Sequence, residues 1–168
     1  MQMLETERLV LRRLTPEDAP FILELLNDPL FLQFVGDKGV RTHEDAVEYI
    51  QHGPVASYAQ HGFGLYLVSL KSDGTPIGMC GLLKRAVLED VDVGFGFLRR
   101  YGGHGYATEA AAATVRYGHQ LGVKRIVAIT APDNTASGNV LRKIGLRHTQ
   151  TLPLPGYREP SFLFTPAE

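Results

Sequence analysis

Residues 91–122 constrain the fold more than any other stretch of this 168-residue chain. They open with VDVGFGFL, in which apolar residues alternate with Asp92, Gly94 and Gly96 as in a β-strand. The glycine-rich run RRYGGHGY follows, and the next run, ATEAAAATVRYGHQLG, has the pattern of a helix that stops at Gly122. A strand, a bare loop and a long helix therefore succeed one another without a linker.

The segments on either side supply further strands and helices. RLVLRRL, GFGLYLVSL and PIGMCGLLKRAV indicate strands, the last two joined by a hairpin turn at KSDGT. TPEDAPFILELLND predicts a helix with Thr15 as its N-cap, and THEDAVEYIQ predicts another that Thr42 caps together with Asp45. The strand VKRIVAIT, the helix NTASGNVLRKIG and the strands LRHTQ and SFLFTP complete the chain. This order predicts a single α+β domain over residues 1–168, with a mixed sheet.

Composition narrows the possible partners and cellular location. With 17 basic and 18 acidic residues, the formal net charge is -1, which argues against nucleic acid or an anionic membrane as the main partner. The single cysteine, Cys80, lies in an apolar run and is expected to pack as a reduced hydrophobic residue. No apolar stretch is long enough for a signal peptide or a membrane span, so we expect a cytoplasmic protein.

The glycine loop has two interpretations. A loop that enters a helix points free backbone N–H groups at one spot, where the helix dipole favours an anion such as phosphate, and Arg99 and Arg100 would reinforce that attraction. The spacing fits neither a Walker loop, which ends in Gly-Lys-Ser/Thr, nor a dinucleotide fingerprint. The alternative is a tight turn that needs glycine only for positive φ.

Three segments carry a resemblance to a known family. Arg100-x-x-Gly103-x-Gly105, extended by YATEA, resembles the pyrophosphate loop of the GNAT superfamily of acetyl-CoA-dependent N-acetyltransferases. LETERLVLRRLTPEDAP and DNTASGNVLRKIGL resemble the RimJ/RimL-like branch, which includes ribosomal-protein N-terminal acetyltransferases. The resemblance implies a mostly antiparallel sheet with helices on both faces and a central splayed strand pair that admits the pantetheine arm of coenzyme A.

The resemblance also implies which residues bind acetyl-CoA. Asn134 matches an asparagine that reaches the pantetheine side, and the less favoured alternative is a turn residue in PDN. The end of the strand and the backbone of the loop match the rest of the coenzyme site, which comprises Phe97, Leu98, Arg99, Arg100, Gly102, Gly103, His104, Gly105, Tyr106 and Ala107.

Transfer of an acetyl group to an amine requires a proton acceptor and benefits from a proton donor. Asp92, the lone acid on its strand face, is the candidate base, either directly or through a water; alternatively it is a rim carboxylate paired with a surface base. Many members of the family have a tyrosine as the acid at the position of Leu141, and the alternative is Ser137, which could equally cap the helix. Glu109 either lines the cleft or stabilises the helix N-terminus.

The acceptor is the least constrained part of the function. Residues of the first two predicted helices and of the PLPGYREP loop, including Tyr157, Arg158 and Glu159, would border it by analogy with the family. We expect a protein N-terminus or an amine-bearing small molecule, and a homodimer is possible. The six histidines show no ligand spacing, so we expect no metal. An acyl-CoA-binding sensor without catalysis is the alternative function.

Overall fold

The computed structural model describes residues 4–155 and 160–167. Its strands form one mixed sheet in the order β1-β2-β3-β4-β5-β6-β8-β7, in which only the pair β5–β6 is parallel. The strands of the described residues are β1 (Leu4–Glu5), β2 (Leu9–Arg13), β3 (Leu65–Leu70), β4 (Pro76–Leu83), β5 (Val91–Phe97), β6 (Ile126–Thr130), β7 (Leu146–Leu152) and β8 (Ser161–Pro166).

Helices cover both faces of this sheet, as expected. They are α1 (Ala19–Leu26), α2 (Pro29–Phe34), α3 (His43–Ile50), α4 (Ala56–His61), α5 (Tyr106–Gln120) and α6 (Thr135–Lys143). Strand β3 shows why two cores form, because successive side chains point to opposite faces. Val68 is buried in the same core as Ala110 of α5, whereas Leu67 is buried with Ile22 of α1. The predicted α+β fold is confirmed.

Local capping signals explain where the helices begin. At the start of α3, the Thr42 hydroxyl accepts from the Asp45 N–H at 3.0 Å and the Asp45 carboxylate accepts from the Thr42 N–H at 3.2 Å. At the first predicted helix, the Thr15 N–H donates to Asp18 at 2.9 Å, and Pro16 opens a 3₁₀ turn that leads into α1. These reciprocal bonds satisfy N–H groups that a helix leaves unpaired.

The structure divides the helical regions more finely than the sequence pattern did. Asp28 ends the first one and caps the separate helix α2, because its carboxylate accepts from the Leu30 N–H at 3.0 Å and Pro29 occupies the first helical position. A π-helical turn, Gln51–Val55, joins α3 to α4 and contains Pro54. The short edge strand β1 was not predicted.

The parallel pair β5–β6 opens into a V. The two strands pair only where Val91 faces Ile126 and Asp92 faces Val127. Beyond Asp92, β5 remains paired with β4 on its other side as far as Phe97, while β6 pairs with β8. Within the described residues, the edge of β5 that faces β6 is therefore unpaired from residue 93 onward, and the expected central splayed strand pair is present.

Candidate active site

The glycine loop lies at the open end of the V, between β5 and α5. A 3₁₀ turn, Arg99–Tyr101, follows β5, and the Gly102 N–H donates to the Arg99 carbonyl at 3.0 Å. Gly103 and Gly105 then adopt φ values of 80° and 81°, which residues other than glycine rarely adopt. The loop is therefore a tight turn with positive φ, as one of the two interpretations expected.

The same turn leaves hydrogen-bond donors available. No backbone hydrogen bond among the described residues engages the N–H groups of residues 103–107, whereas the Glu109 N–H already donates to Gly105. The amides at the start of α5 have no intrahelical acceptor, and they lie at the positive end of the helix dipole. The turn and the anion-binding interpretations are thus compatible, since one conformation serves both.

The two arginines at the start of the loop are held by acidic residues of the first helical region. The Arg100 guanidinium pairs with Glu24 at 2.9 Å. The Arg99 backbone N–H donates to the Asp28 carboxylate at 3.0 Å, so the residue that caps α2 also fixes the start of the loop. In this structure, the Arg100 side chain therefore engages α1.

The far side of the loop is anchored by Arg8, which the sequence analysis did not identify. Its Nη1 donates to the His104 carbonyl at 2.9 Å, and its guanidinium lies 4.5 Å from the centre of the Tyr106 ring. Its Nε donates to Glu109 at 2.7 Å, and Glu109 also accepts from the Thr6 hydroxyl. No local pattern signals a contact between residues about one hundred positions apart.

Glu109 accordingly anchors β1–β2 to the first turn of α5. Partial burial tends to raise its pKa, but the hydrogen bonds from Thr6 and Arg8 lower the pKa below its usual value. The structural interpretation of Glu109 is the one that its contacts support.

A cleft of about 230 Å³ occupies the V and reaches down to Asp92. Its walls come from α2 and the loop after it, from β4 and β5 on one arm, and from β6 and α6 on the other. Residues that line it include Phe31, Phe34, Lys38, Arg85, Asp92, Gly94, Gly96, Thr130, Asn134, Ser137 and Leu141. The cleft thus brings together Asp92, Asn134 and Ser137.

Asp92 is a buried carboxylate with one close cationic partner. It is 1% exposed, and the Nε of Arg85 lies 3.1 and 3.2 Å from its two oxygens. Burial raises the pKa of Asp92 to about 6, although the positive charge of Arg85 opposes this rise. The expectation of a carboxylate at the rim is wrong because neighbouring elements cover this position, but the expected basic partner is present.

Asn134 and Ser137 stand at the start of α6. The Asn134 side-chain oxygen accepts from the Ser137 N–H at 3.2 Å, which makes Asn134 the N-cap. The alternative of Ser137 as helix cap is therefore wrong; Ser137 is the third helical residue, half-buried beside the cleft. Leu141 is 1% exposed and offers no proton to the cleft.

At the end of β5, just before the loop, Phe97 and Leu98 have side chains that are partly or fully buried, so their backbone is what they offer to the site. Phe97 is half-buried, and Leu98 is buried among the residues packed under α1 and α3. The Leu98 N–H donates to the Ile77 carbonyl at 2.9 Å, which ties this corner to β4. Tyr157, Arg158 and Glu159, expected near the acceptor, lie outside the described residues.

Other chemistry finds little support within the described part of the chain. No group of three or more His, Cys, Asp or Glu residues there could hold a metal ion, and no helix of residues 4–155 or 160–167 is both long and apolar enough to cross a membrane. Cys80 is buried beside Thr114, with its sulfur 3.3 Å from the hydroxyl. Burial raises the pKa of the Cys80 thiol to about 12, which keeps it protonated at neutral pH.

Comparisons with known proteins identify the family to which this chain belongs. The family model of the acetyltransferase (GNAT) domain matches residues 8–147, so the chain belongs to that family. The uncharacterized N-acetyltransferase YnaD of Bacillus subtilis is 29% identical over 143 residues, which cover 84% of this chain and 81% of YnaD. The protein is an acetyltransferase, and the family membership favours an enzyme over a sensor.

Solved structures show the same fold. An acetyltransferase from Agrobacterium tumefaciens superposes with a TM-score of 0.81 at 25% identity, covering 100% of this chain and 95% of that one. RimL, a ribosomal L7/L12 α-N-protein acetyltransferase in complex with coenzyme A, gives a TM-score of 0.82 at 18% identity, covering 98% and 97% of the two chains. At that identity, the likeness to RimL supports the fold alone.

Proposed function

We propose that this acetyltransferase uses acetyl-CoA to acetylate a primary amine, in a protein N-terminus or a small molecule, by direct attack in a ternary complex. One observation carries the proposal: the edge of β5 that faces β6 is unpaired from residue 93, next to the buried carboxylate of Asp92, to the end of the strand at Phe97, and the loop with unpaired amides follows directly. A single elongated thioester would connect these two places.

The described residues fit coenzyme A as the donor. The N–H groups of residues 103–107 would bind its diphosphate, and the unpaired edge of β5 would accept the pantetheine arm as an added strand. The Asn134 side chain, which caps α6, borders the same cleft. RimL, which shares the fold, binds coenzyme A in its own structure.

Asp92 is the proton acceptor in this proposal. With a pKa of about 6, its carboxylate is mostly ionised at neutral pH and still basic enough to accept a proton. Because only 1% of the residue is exposed, the proton reaches it through a bridging water. The amine nitrogen forms a bond to the thioester carbonyl carbon, the C–S bond breaks, and the nitrogen's proton passes through this water to Asp92.

Ser137 is the proposed proton donor to the departing sulfur. It lies on the α6 side of the cleft, opposite the β5 arm that carries Asp92, and the buried Leu141 cannot supply a proton. The serine hydroxyl gives its proton to the thiolate and recovers one from solvent. Holding the amine and thioester together supplies the larger part of the acceleration.

The first experiment separates binding from chemistry. Thermal unfolding is measured with acetyl-CoA, with desulfo-coenzyme A and with adenosine nucleotides, and ligand at a hundred times its dissociation constant is expected to add about 2.7 kcal/mol of stability. Thiol release is then followed over a panel of amines. Absence of an acetyl-CoA shift, or binding without turnover of any amine, would overturn the proposal.

Variants on one helix test the role of Ser137. Ser137→Ala is expected to lower kcat by up to about a hundredfold, while Thr135→Ala, an exposed change on the same helix, leaves kcat unchanged. Equal kcat values for the two variants would remove Ser137 from the mechanism.

Cellular location and assembly are part of the same proposal. A cytoplasmic location is supported by the buried, unpaired Cys80, whose thiol requires no oxidising compartment. A homodimer is expected by analogy with the family and is tested by light scattering of the purified protein.

A further inference from the structure

The cleft has a distinct side away from β6 and α6, which we call the acceptor side. It is lined by Phe31, Phe34, Val35 and Lys38, from α2 and the loop after it, and Arg85 and Asp92 line the cleft where β5 still pairs with β6. The Phe31 ring covers the bare part of β5 so closely that a Cβ at Gly96 would lie 3.1 Å from it. An acceptor entering here meets aromatic and aliphatic surface.

The charge on this side is positive. Among the described residues that line the whole cleft, only Lys38, Arg85 and Asp92 are charged, so two cations face one carboxylate. Arg85 already lies against both Asp92 oxygens, which offsets the negative charge. The positive charge of Lys38 therefore remains without compensation.

The surroundings of Lys38 do not neutralise it. Its neighbour Asp37 pairs with Arg41 and also accepts the Gly39 N–H at 2.8 Å. No ion pair among the described residues includes Lys38, which is exposed at the entrance of the cleft. This ammonium group is available to an acceptor that carries an anion.

These features select among amines. A polyamine would place a second cation beside Lys38 and Arg85, and a simple alkylamine would leave the Lys38 charge unused. We infer that the acceptor is a free amino acid with an apolar side chain, its carboxylate bound by Lys38 and its side chain against Phe31, Phe34 and Val35. This inference rests on the proposed function and chooses a small amino acid over a protein N-terminus, whose first residue has no free carboxylate.

Pairs of acceptors that differ only in the carboxylate test the inference. The value of kcat/KM is measured for L-phenylalanine and L-phenylalaninamide, and for L-leucine and L-leucinamide, at one pH. The enzymes compared are wild type, Lys38→Met, Lys38→Glu and Lys124→Met, the last an exposed lysine that does not line the cleft. Since the acceptors' own amine pKa values are the same for every enzyme, they cancel when acid-to-amide ratios are compared between variants.

Once each rate is divided by the fraction of acceptor amine that is unprotonated at the assay pH, we expect wild type to prefer the acid of each pair. Lys38→Met is expected to lower the acid-to-amide ratio roughly fivefold, the effect of one partly exposed ion pair, and Lys38→Glu to lower it further. Lys124→Met is expected to leave the ratio unchanged. A mere packing defect at position 38 would lower both rates together and leave the ratio intact.

Two results would overturn the inference while the proposed function stands. In the first, neither Lys38 variant changes the acid-to-amide ratio. In the second, the enzyme acetylates amides, peptides or simple amines but not free amino acids. If acetyl-CoA binds and no amine of any kind is acetylated, the proposed function itself fails, and the inference fails with it.

Discussion

Asp92→Asn is the change that most directly tests the chemistry of the site. The amide keeps the shape of the side chain but cannot accept a proton. The native carboxylate has a pKa of about 6 because it is buried, so at pH 7 about nine-tenths of it is ionised. The variant should therefore lose the base while the walls of the cleft stay in place.

The pH dependence gives the sharpest readout. In wild type, kcat/KM should fall as pH decreases through about 6, because protonated Asp92 cannot accept the proton from the acceptor amine. In Asp92→Asn the part of this fall that is due to Asp92 should disappear, leaving only the decrease caused by protonation of the acceptor amine, and the rate at neutral pH should drop by roughly 10²- to 10⁴-fold. The assay is thiol release at saturating acetyl-CoA between pH 5 and 9.

The same substitution changes stability in a pH-dependent way. A carboxyl whose pKa is raised on folding contributes stability below its ordinary pKa near 4, and that contribution is lost as pH rises through about 6. A rise of about two pKa units corresponds to roughly 3 kcal/mol. Urea unfolding should therefore show wild type losing this amount, relative to Asp92→Asn, between pH 4 and 7.

Asp90→Asn is the matched control. Asp90 lies two residues earlier and pairs with Arg125 at 3.1 Å, but its side chain is 36% exposed and does not line the cleft. It should retain the wild-type rate and pH profile. The reasoning is refuted if Asp92→Asn keeps the wild-type profile, or if both variants lose the same activity.

Three further substitutions test the loop, its anchor and the helix cap. Gly103→Ala should lower the free energy of unfolding by about 1–2 kcal/mol and reduce the stabilisation that coenzyme A provides. Gly74→Ala, at φ 78° and with equally open space around an added Cβ, should lower the free energy of unfolding by the same amount without changing that stabilisation. Equal effects of the two variants on ligand binding would show that the conformation of the loop at Gly103 does not matter for coenzyme binding. Because the pKa of Glu109 is lowered on folding, its carboxylate stabilises the fold above the ordinary carboxyl pKa, and this stabilisation is lost as pH falls. The free energy of unfolding of Glu109→Gln should therefore decrease less than that of wild type as pH is lowered. Parallel curves of unfolding free energy against pH for the two proteins would contradict this. In denaturant unfolding, Asn134→Ala should lower the free energy of unfolding by about 1 kcal/mol and Asn134→Asp should lower it much less. An alanine variant as stable as wild type would argue against Asn134 as the helix cap.

The elements with strong local signals were predictable from the sequence. Thr42 and Asp45 bond to each other across three residues, so the start of α3 follows from adjacent amino acids alone. The strand at residues 91–98 and the helix after the loop were recognised from side-chain periodicity. Helix α2 was missed because its six residues are too few to show a helical periodicity, although Asp28 and Pro29 together supply its cap and its first residue.

The sequence alone was less informative about individual roles in the site. It identified Asp92 as the lone acid on its strand face, but not its burial or its contact with Arg85. It offered Ser137 as a possible cap where Asn134 performs that function. Arg8 was missed because its contacts with Glu109 and His104 join residues that are close only in the folded chain.

Local chemistry therefore determined the loop, and tertiary structure determined the cleft beside it. Glycine is needed at positions 103 and 105 because of the backbone conformation of a few adjacent residues, so the sequence alone indicates this turn. The V depends on β8 pairing with one side of β6 and β4 with one side of β5, which no local segment specifies. The charge state of Asp92 depends on how much water the surrounding elements exclude, a long-range property that only the packed fold decides.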